Sequence, residues 1–362
     1  MHAQPLPLTA RTLYAELREQ ALALGATENI GPLPGAVVAK SIRGRQYLYH
    51  QYRDLAGKTR QTYLGPDDDT TRALIARLAD VRESRAEDIA RLDGLRAAFI
   101  AAGGAVMQQG PFRVLKAFAD AGILRPGAGH AVLVGTHAFN ALANLLGVRW
   151  ASMMGTQDID LAGERDIDIA VAKPDAGVPD VLESLDMGFI PVPSLDSRKA
   201  STSFRVRGQE LRVDLLTPLT GADRGKPFFV PSLNAHAQAL RFLDYLIEDP
   251  LPVPVFSNTG LALVNVPRPA RFALHKLIVS ESRGEAFATK TGKDRAQAAQ
   301  LLEVMLEEMP DAVAAAHKAL VVRGRGWVSR LGRAVRKVSR EYPWVGEDLR
   351  GRSRLRQTKN AE

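Results

Sequence analysis

The chain has 362 residues, 46% apolar and 24% charged, enough for two or three domains around a sizeable core. It holds no cysteine, which excludes disulfides, thiolate-bound zinc, iron–sulfur clusters and thiol nucleophiles and fits a reducing, cytoplasmic setting. Formal net charge is +8, but residues 318–362 carry 13 Lys and Arg against 4 Asp and Glu, so the remainder is close to neutral.

The N-terminus lacks the apolar run of a signal peptide, and residues 11–24, with Glu16 and Glu19 inside an amphipathic pattern, predict a helix. Residues 1–69 form a small basic unit whose runs 46–53 and 59–64, joined through Gly57, predict a β-hairpin. Alternation places Tyr47 and Tyr49 on one face, with Arg43 and Arg45 close by. Basic side chains interleaved with aromatics suit nucleic acid, RNA or DNA; the equal alternative is a hairpin that covers a neighbouring helix. After Gly65-Pro66, residues 70–126 carry an apolar stripe at helical spacing and read as packing helices.

Residues 127–230 alternate strands and helices: strand 131–134, helix 137–146, strands 156–162 and 166–171, helix 178–185, then strands 202–207 and 210–216. This predicts a mixed α/β sheet, and the whole chain an α+β fold with helical domains before and after that core. Residues 231–325 read as a helical domain, with helices at 235–247, 270–282 and 293–309. Residues 326–362 read as a basic tail, either a binder of nucleic acid or anionic lipid or merely solvated. The most apolar stretch, 131–148, is broken by His137, Asn140 and Asn144, so no membrane span is expected.

Chemistry concentrates in three places. Gly135-Thr136 follows a buried strand, Thr156-Gln157-Asp158-Ile159-Asp160-Leu161 forms another, and Asp214 sits between Val213 and Leu215 on a third. A strand turns Asp158 and Asp160 to one face, and like charges so close call for a cation between them. Oxygen ligands suit Mg²⁺ or Mn²⁺, with Asp214 as the third carboxylate. Gly135 lets a triphosphate approach the backbone, and Thr136 offers a hydroxyl at a helix start, where anions are favoured. Lys276 lies on a predicted helix, where it either reaches the triphosphate or pairs with Glu281. His130 and His137 flank the loop and read as structural.

Strand, Gly-Thr, helix, Asp-Ile-Asp and a later strand Asp together resemble the polymerase β-type nucleotidyltransferase superfamily. Segments such as VLVGTHAFNAL, FRVRGQELRVDLLTP and FALHKLIVSESR are similar to an uncharacterised bacterial branch of that fold, over residues 90–310. The resemblance implies transfer of a nucleoside monophosphate from an NTP to a hydroxyl on RNA, protein or a small molecule. Asp158, Asp160 and Asp214 would then be catalytic and metal-binding, and Gly135, Thr136 and Lys276 nucleotide-binding. Two departures stand out: 21 residues separate Thr136 from Asp158, where the family has about a dozen, and a second pair, Asp166 and Asp168, competes for the metal role. A non-catalytic partner-binding protein on the same fold, or a toxin–antitoxin component, is the alternative.

Overall fold

The computed structural model describes residues 3–28, 36–42, 45–53, 59–126, 129–151, 156–164, 176–194, 196, 199–223, 225–282 and 288–345. A short strand β1 (Gln4–Pro5) and helix α1 (Leu8–Glu28) precede an antiparallel sheet of β2 (Ala36–Ile42), β3 (Arg45–Arg53) and β4 (Thr59–Pro66). The expected hairpin is present as β3 and β4, and β2 adds a strand beyond the two expected. Asp68 caps α2 (Asp69–Ala101) by accepting the Thr71 N–H at 2.8 Å, supplying one partner that a helix start lacks. Gly103-Gly104 then separate α2 from α3 (Gln109–Asp120).

The core sheet follows. Its elements are β5 (Val132–Val134), α4 (Gly135–Leu145), β6 (Val148–Arg149), β7 (Asp158–Ala162), α5 (Val178–Ser184), β8 (Phe189–Pro191), β9 (Ser203–Val206), β10 (Arg212–Pro218), β11 (Phe228–Val230) and β12 (Ala235–Leu240). The strand order is β11-β12-β10-β7-β5, with β9 paired to β10 and β8 to β9. β7 runs parallel to β10 and antiparallel to β5, so the sheet is mixed, as the alternation predicted. Ile159, Leu161, Val213 and Leu215 are fully buried at its centre. The β6 strand pairs with β1, tying the N-terminus to the core.

Past β12 come α6 (Leu243–Ile247), the hairpin β13 (Leu251–Ser257) and β14 (Gly260–Val266), then α7 (Pro269–Ser282), α8 (Ala288–Glu308), α9 (Pro310–Val321) and α10 (Arg325–Glu341). Two expectations are corrected here. The helix expected at 235–247 is a strand for its first six residues. Ala235, Ala237 and Ala239 are buried while His236, Gln238 and Leu240 are exposed, and that period of two fits the open side of β10. Residues 251–266, within the stretch read as helical, form a two-stranded hairpin in which both strands are edges and tolerate Pro252 and Pro254. The strand expected at 166–171, with Asp166 and Asp168, lies outside the described residues.

The basic tail is also more than solvated charge. α10 buries Leu331, Ala334 and Val338 against the helical bundle and turns its arginines outward. Lys337 and Arg333 reach Glu281 of α7 at 2.9 and 3.7 Å, so Glu281 pairs with α10 and not with Lys276. At the other end, Arg323 bonds both Asp244 and Glu248 and lies over the rings of Tyr245 and Trp327. No helix among the described residues is long and apolar enough to cross a membrane.

This packing makes one prediction. Val338→Asp forces a carboxylate into an apolar seam and should lower unfolding free energy by about 3 kcal/mol. On the opposite face, Arg336→Gln should stay within about 0.5 kcal/mol of the parent. Urea unfolding followed by circular dichroism checks both, and equal effects would mean that α10 is not packed.

Candidate active site

The alternation of β7 and β10 builds the site. In each strand the apolar residues enter the core, which forces Asp158, Asp160, Arg212 and Asp214 onto the other face. The parallel register sets Asp160 opposite Asp214 and Asp158 opposite Arg212. Neighbouring strands lie about 4.8 Å apart, so the two central carboxylates are held side by side. Burial raises the Asp160 carboxyl to about 6, and the charges of Asp214 and Asp158 push the same way while Lys276 and Arg212 oppose.

Gly135 closes the third side. Val134 of β5 pairs with Asp160, and the next residue, Gly135, starts α4 at φ +68°. A Cβ there would fall inside the Asp160 carboxylate, so both the conformation and the close approach require glycine. Among the described residues no side chain caps the start of α4, and a helix start favours an anion. Thr136 follows in the first turn, buried.

Cations lie within electrostatic reach of the carboxylates. Lys276 of α7 bonds Asp294 of α8 at 2.8 Å, with side chains only 14% and 5% exposed, and it feels the charge of Asp160. The alternative expected for Lys276, a bridge to Glu281, is thus replaced by a pair with Asp294. Lys293, one residue before Asp294, is partly buried. Burial lowers its pKa, the like charge of Lys276 adds to this, and Asp294, Asp158 and Asp160 oppose. Arg212 Nε donates to Asp214 Oδ1 and to Ser203 Oγ, both at 2.8 Å. Arg212 therefore already supplies one counter-charge.

Carboxylates are hard oxygen donors of the kind that divalent cations prefer. Among the described residues no group of three acidic or histidine side chains is placed to hold a metal ion, and Arg212 bonds Asp214.

Asp158, Asp160, Asp214, Gly135 and Lys276 thus converge, with Thr136 beside them. Lys293, Asp294 and Arg212 were missed. The first two sit on a helix following Lys276 with no motif to mark them, whereas Arg212 could have been found from its period-two relation to Asp214. Tyr47 and Tyr49 belong to the separate β2–β4 sheet, both half-buried, with Lys40 5.1 Å from the Tyr49 ring centre. Arg45 lies on β3, and Arg43 is outside the described residues.

The sheet thus gathers carboxylates from two strands beside a helix start led by glycine. Residues 111–321, more than half of the chain, match the nucleotidyltransferase family, and the chain belongs to it. It is accordingly a transferase whose family chemistry uses a nucleotide. No curated protein and no solved structure matches the chain.

The strained carboxylate gives a prediction. A pKa raised to about 6 means that the folded state binds the Asp160 proton more tightly than the unfolded state does, so stability falls as pH rises through about 4 to 6. Without divalent cations, Asp160→Asn should therefore melt a few degrees above the parent at pH 8, with the gain vanishing near pH 4. An equal or lower melting temperature at pH 8 would contradict the geometry.

Proposed function

We propose that the protein is a Mg²⁺- or Mn²⁺-dependent nucleotidyltransferase with a polymerase β-like core, moving a nucleoside monophosphate from an NTP to a hydroxyl acceptor. The observation that carries this reading is the register pairing of Asp160 with Asp214, under a glycine that leaves room for nothing but backbone. Asp158, Asp160 and Asp214 would hold the metal, which when bound neutralises the triphosphate and lowers the pKa of the attacking hydroxyl. The start of α4, with Gly135 and Thr136, cradles phosphate oxygens. Lys293 and Lys276 supply positive charge where pyrophosphate departs. The acceptor oxygen forms a bond to the α-phosphorus, the bond to the bridging oxygen of the β-phosphate breaks, and Asp214 assists in taking the hydroxyl proton. On this reading Asp160→Asn and Asp214→Asn each lower pyrophosphate release by at least about 10³-fold while remaining folded.

A non-catalytic protein on the same fold is the second reading, favoured by the bond from Arg212 to Asp214. Pyrophosphate release from the parent that neither aspartate substitution reduces would remove the catalytic reading.

RNA is the acceptor we favour, through the exposed arginines of α10. Arg325, Arg336 and Arg340 are exposed and make no ion pair among the described residues. Each phosphate contact contributes roughly 0.7 to 0.9 to the slope of log affinity against log salt. Replacing all three by Gln should therefore flatten that slope by about 2 for structured RNA. An unchanged slope would favour a protein or small-molecule acceptor.

A further inference from the structure

Beside the carboxylates lies a cleft of about 200 Å³ that no step above uses. Its floor is one face of α4. His137, Asn140, Ala141 and Asn144 recur at helical spacing and line it, while Ala138, Phe139 and Leu142 on the other face are fully buried in the core. The far wall is the 103–108 loop, fixed because the Asn144 side chain donates to Ala105 O at 2.9 Å and accepts from Ala105 N at 3.0 Å. Met107 and Phe256 give the wall its soft apolar surface.

We infer that this cleft receives the nucleobase of the nucleotide whose phosphates lie at Gly135, an inference that rests on the nucleotidyl-transfer reading. Three observations carry it. The first is position: His137 is two residues after Gly135, and Thr156, also lining the cleft, is two residues before Asp158. Two helical residues rise about 3 Å and two extended ones span at most about 6.6 Å, so both spacings lie within the reach of one ribose. The second is size: the cleft suits a single flat heterocycle and is too small for a peptide or a nucleic-acid strand, since pockets for drug-sized ligands run to roughly 300–1,000 Å³. The third is chemistry. His137 is 5% exposed, and its Nε2 has no hydrogen-bond partner among the described residues. Burial, and then Lys293, lower its pKa to about 4, so the imidazole is neutral and offers one donor and one acceptor. A base edge pairs with such a group, and apolar walls cover its faces.

The test is calorimetric titration of the full chain, with Mg²⁺, against the α,β-methylene analogues of ATP, CTP, GTP and UTP and against inorganic tripolyphosphate. The parent should prefer one base. His137→Phe keeps a flat ring and removes both nitrogens; it should weaken the preferred analogue about tenfold and leave tripolyphosphate unchanged. Ala141→Leu fills the cleft and should weaken all four analogues more than tenfold, again sparing tripolyphosphate. Melting curves accompany both variants, and His137→Phe decides if Ala141→Leu does not fold. If the parent binds neither analogues nor tripolyphosphate, the nucleotidyl-transfer reading and this inference fall together. Analogue binding unchanged in the folded variants overturns the base site alone, and if transfer is lost in that case the cleft holds the acceptor. Equal loss of analogue and tripolyphosphate binding also overturns it, because the substitutions would then act on the phosphate site.

Discussion

Two carboxylates forced side by side govern the rest of this molecule. Asp160 and Asp214 face each other across parallel strands because Ile159, Leu161, Val213 and Leu215 must enter the core, and a strand cannot turn consecutive residues the same way. A one-residue slip of either strand would relieve the repulsion and also expel that strand's pair of fully buried apolar side chains, each worth roughly 1.5–3 kcal/mol. The core therefore holds the charges together against their own field. Arg212 bonds Asp214, Lys276 and Lys293 act on the carboxylates electrostatically from two helices, and α4 starts against the Asp160 side chain.

The helical layer that carries the lysines has its own reason for staying in position. Lys276 and Asp294 are both nearly buried, and separating them would leave either charge unpaired in a poor solvent for ions. This fixes α8 against α7 and keeps Lys293 within electrostatic reach of the carboxylates. On the outer side, α10 clamps α7 through Glu281, whose side chain is 4% exposed between Arg333 and Lys337. A basic segment thus splits its work: one face seals the bundle, the other shows arginines to solvent.

The cleft beside α4 is assembled from parts distant in sequence. Its floor and the β13 residues fall within the stretch that matches the nucleotidyltransferase family, whereas Ala105 and Met107 lie just before it. The carboxylates and Gly135 sit on the shared core, and one wall of the cleft comes from a loop that Asn144 pins in place.

The sequence by itself determined what depends on local periodicity and on residue type. The carboxylates of 158 and 160 share a face because strands alternate, Gly135 follows a buried strand, α1 and α7 follow their apolar stripes, and the total lack of cysteine bounds the chemistry. What it could not determine depends on partners far along the chain. The run 235–240, alanine-rich and helix-prone, becomes a strand because β10 has an unpaired side, and the hairpin 251–266 forms where prolines argue against a strand. The partner of Lys276 is Asp294 and not the nearer Glu281, because α10 takes Glu281. The cleft walled by His137, Met107 and Phe256 exists only after a helix, a loop and a hairpin meet. Only tertiary structure decided these, since backbone hydrogen bonds and buried charges must be satisfied by whichever element arrives beside them, and local sequence carries no record of which one that is.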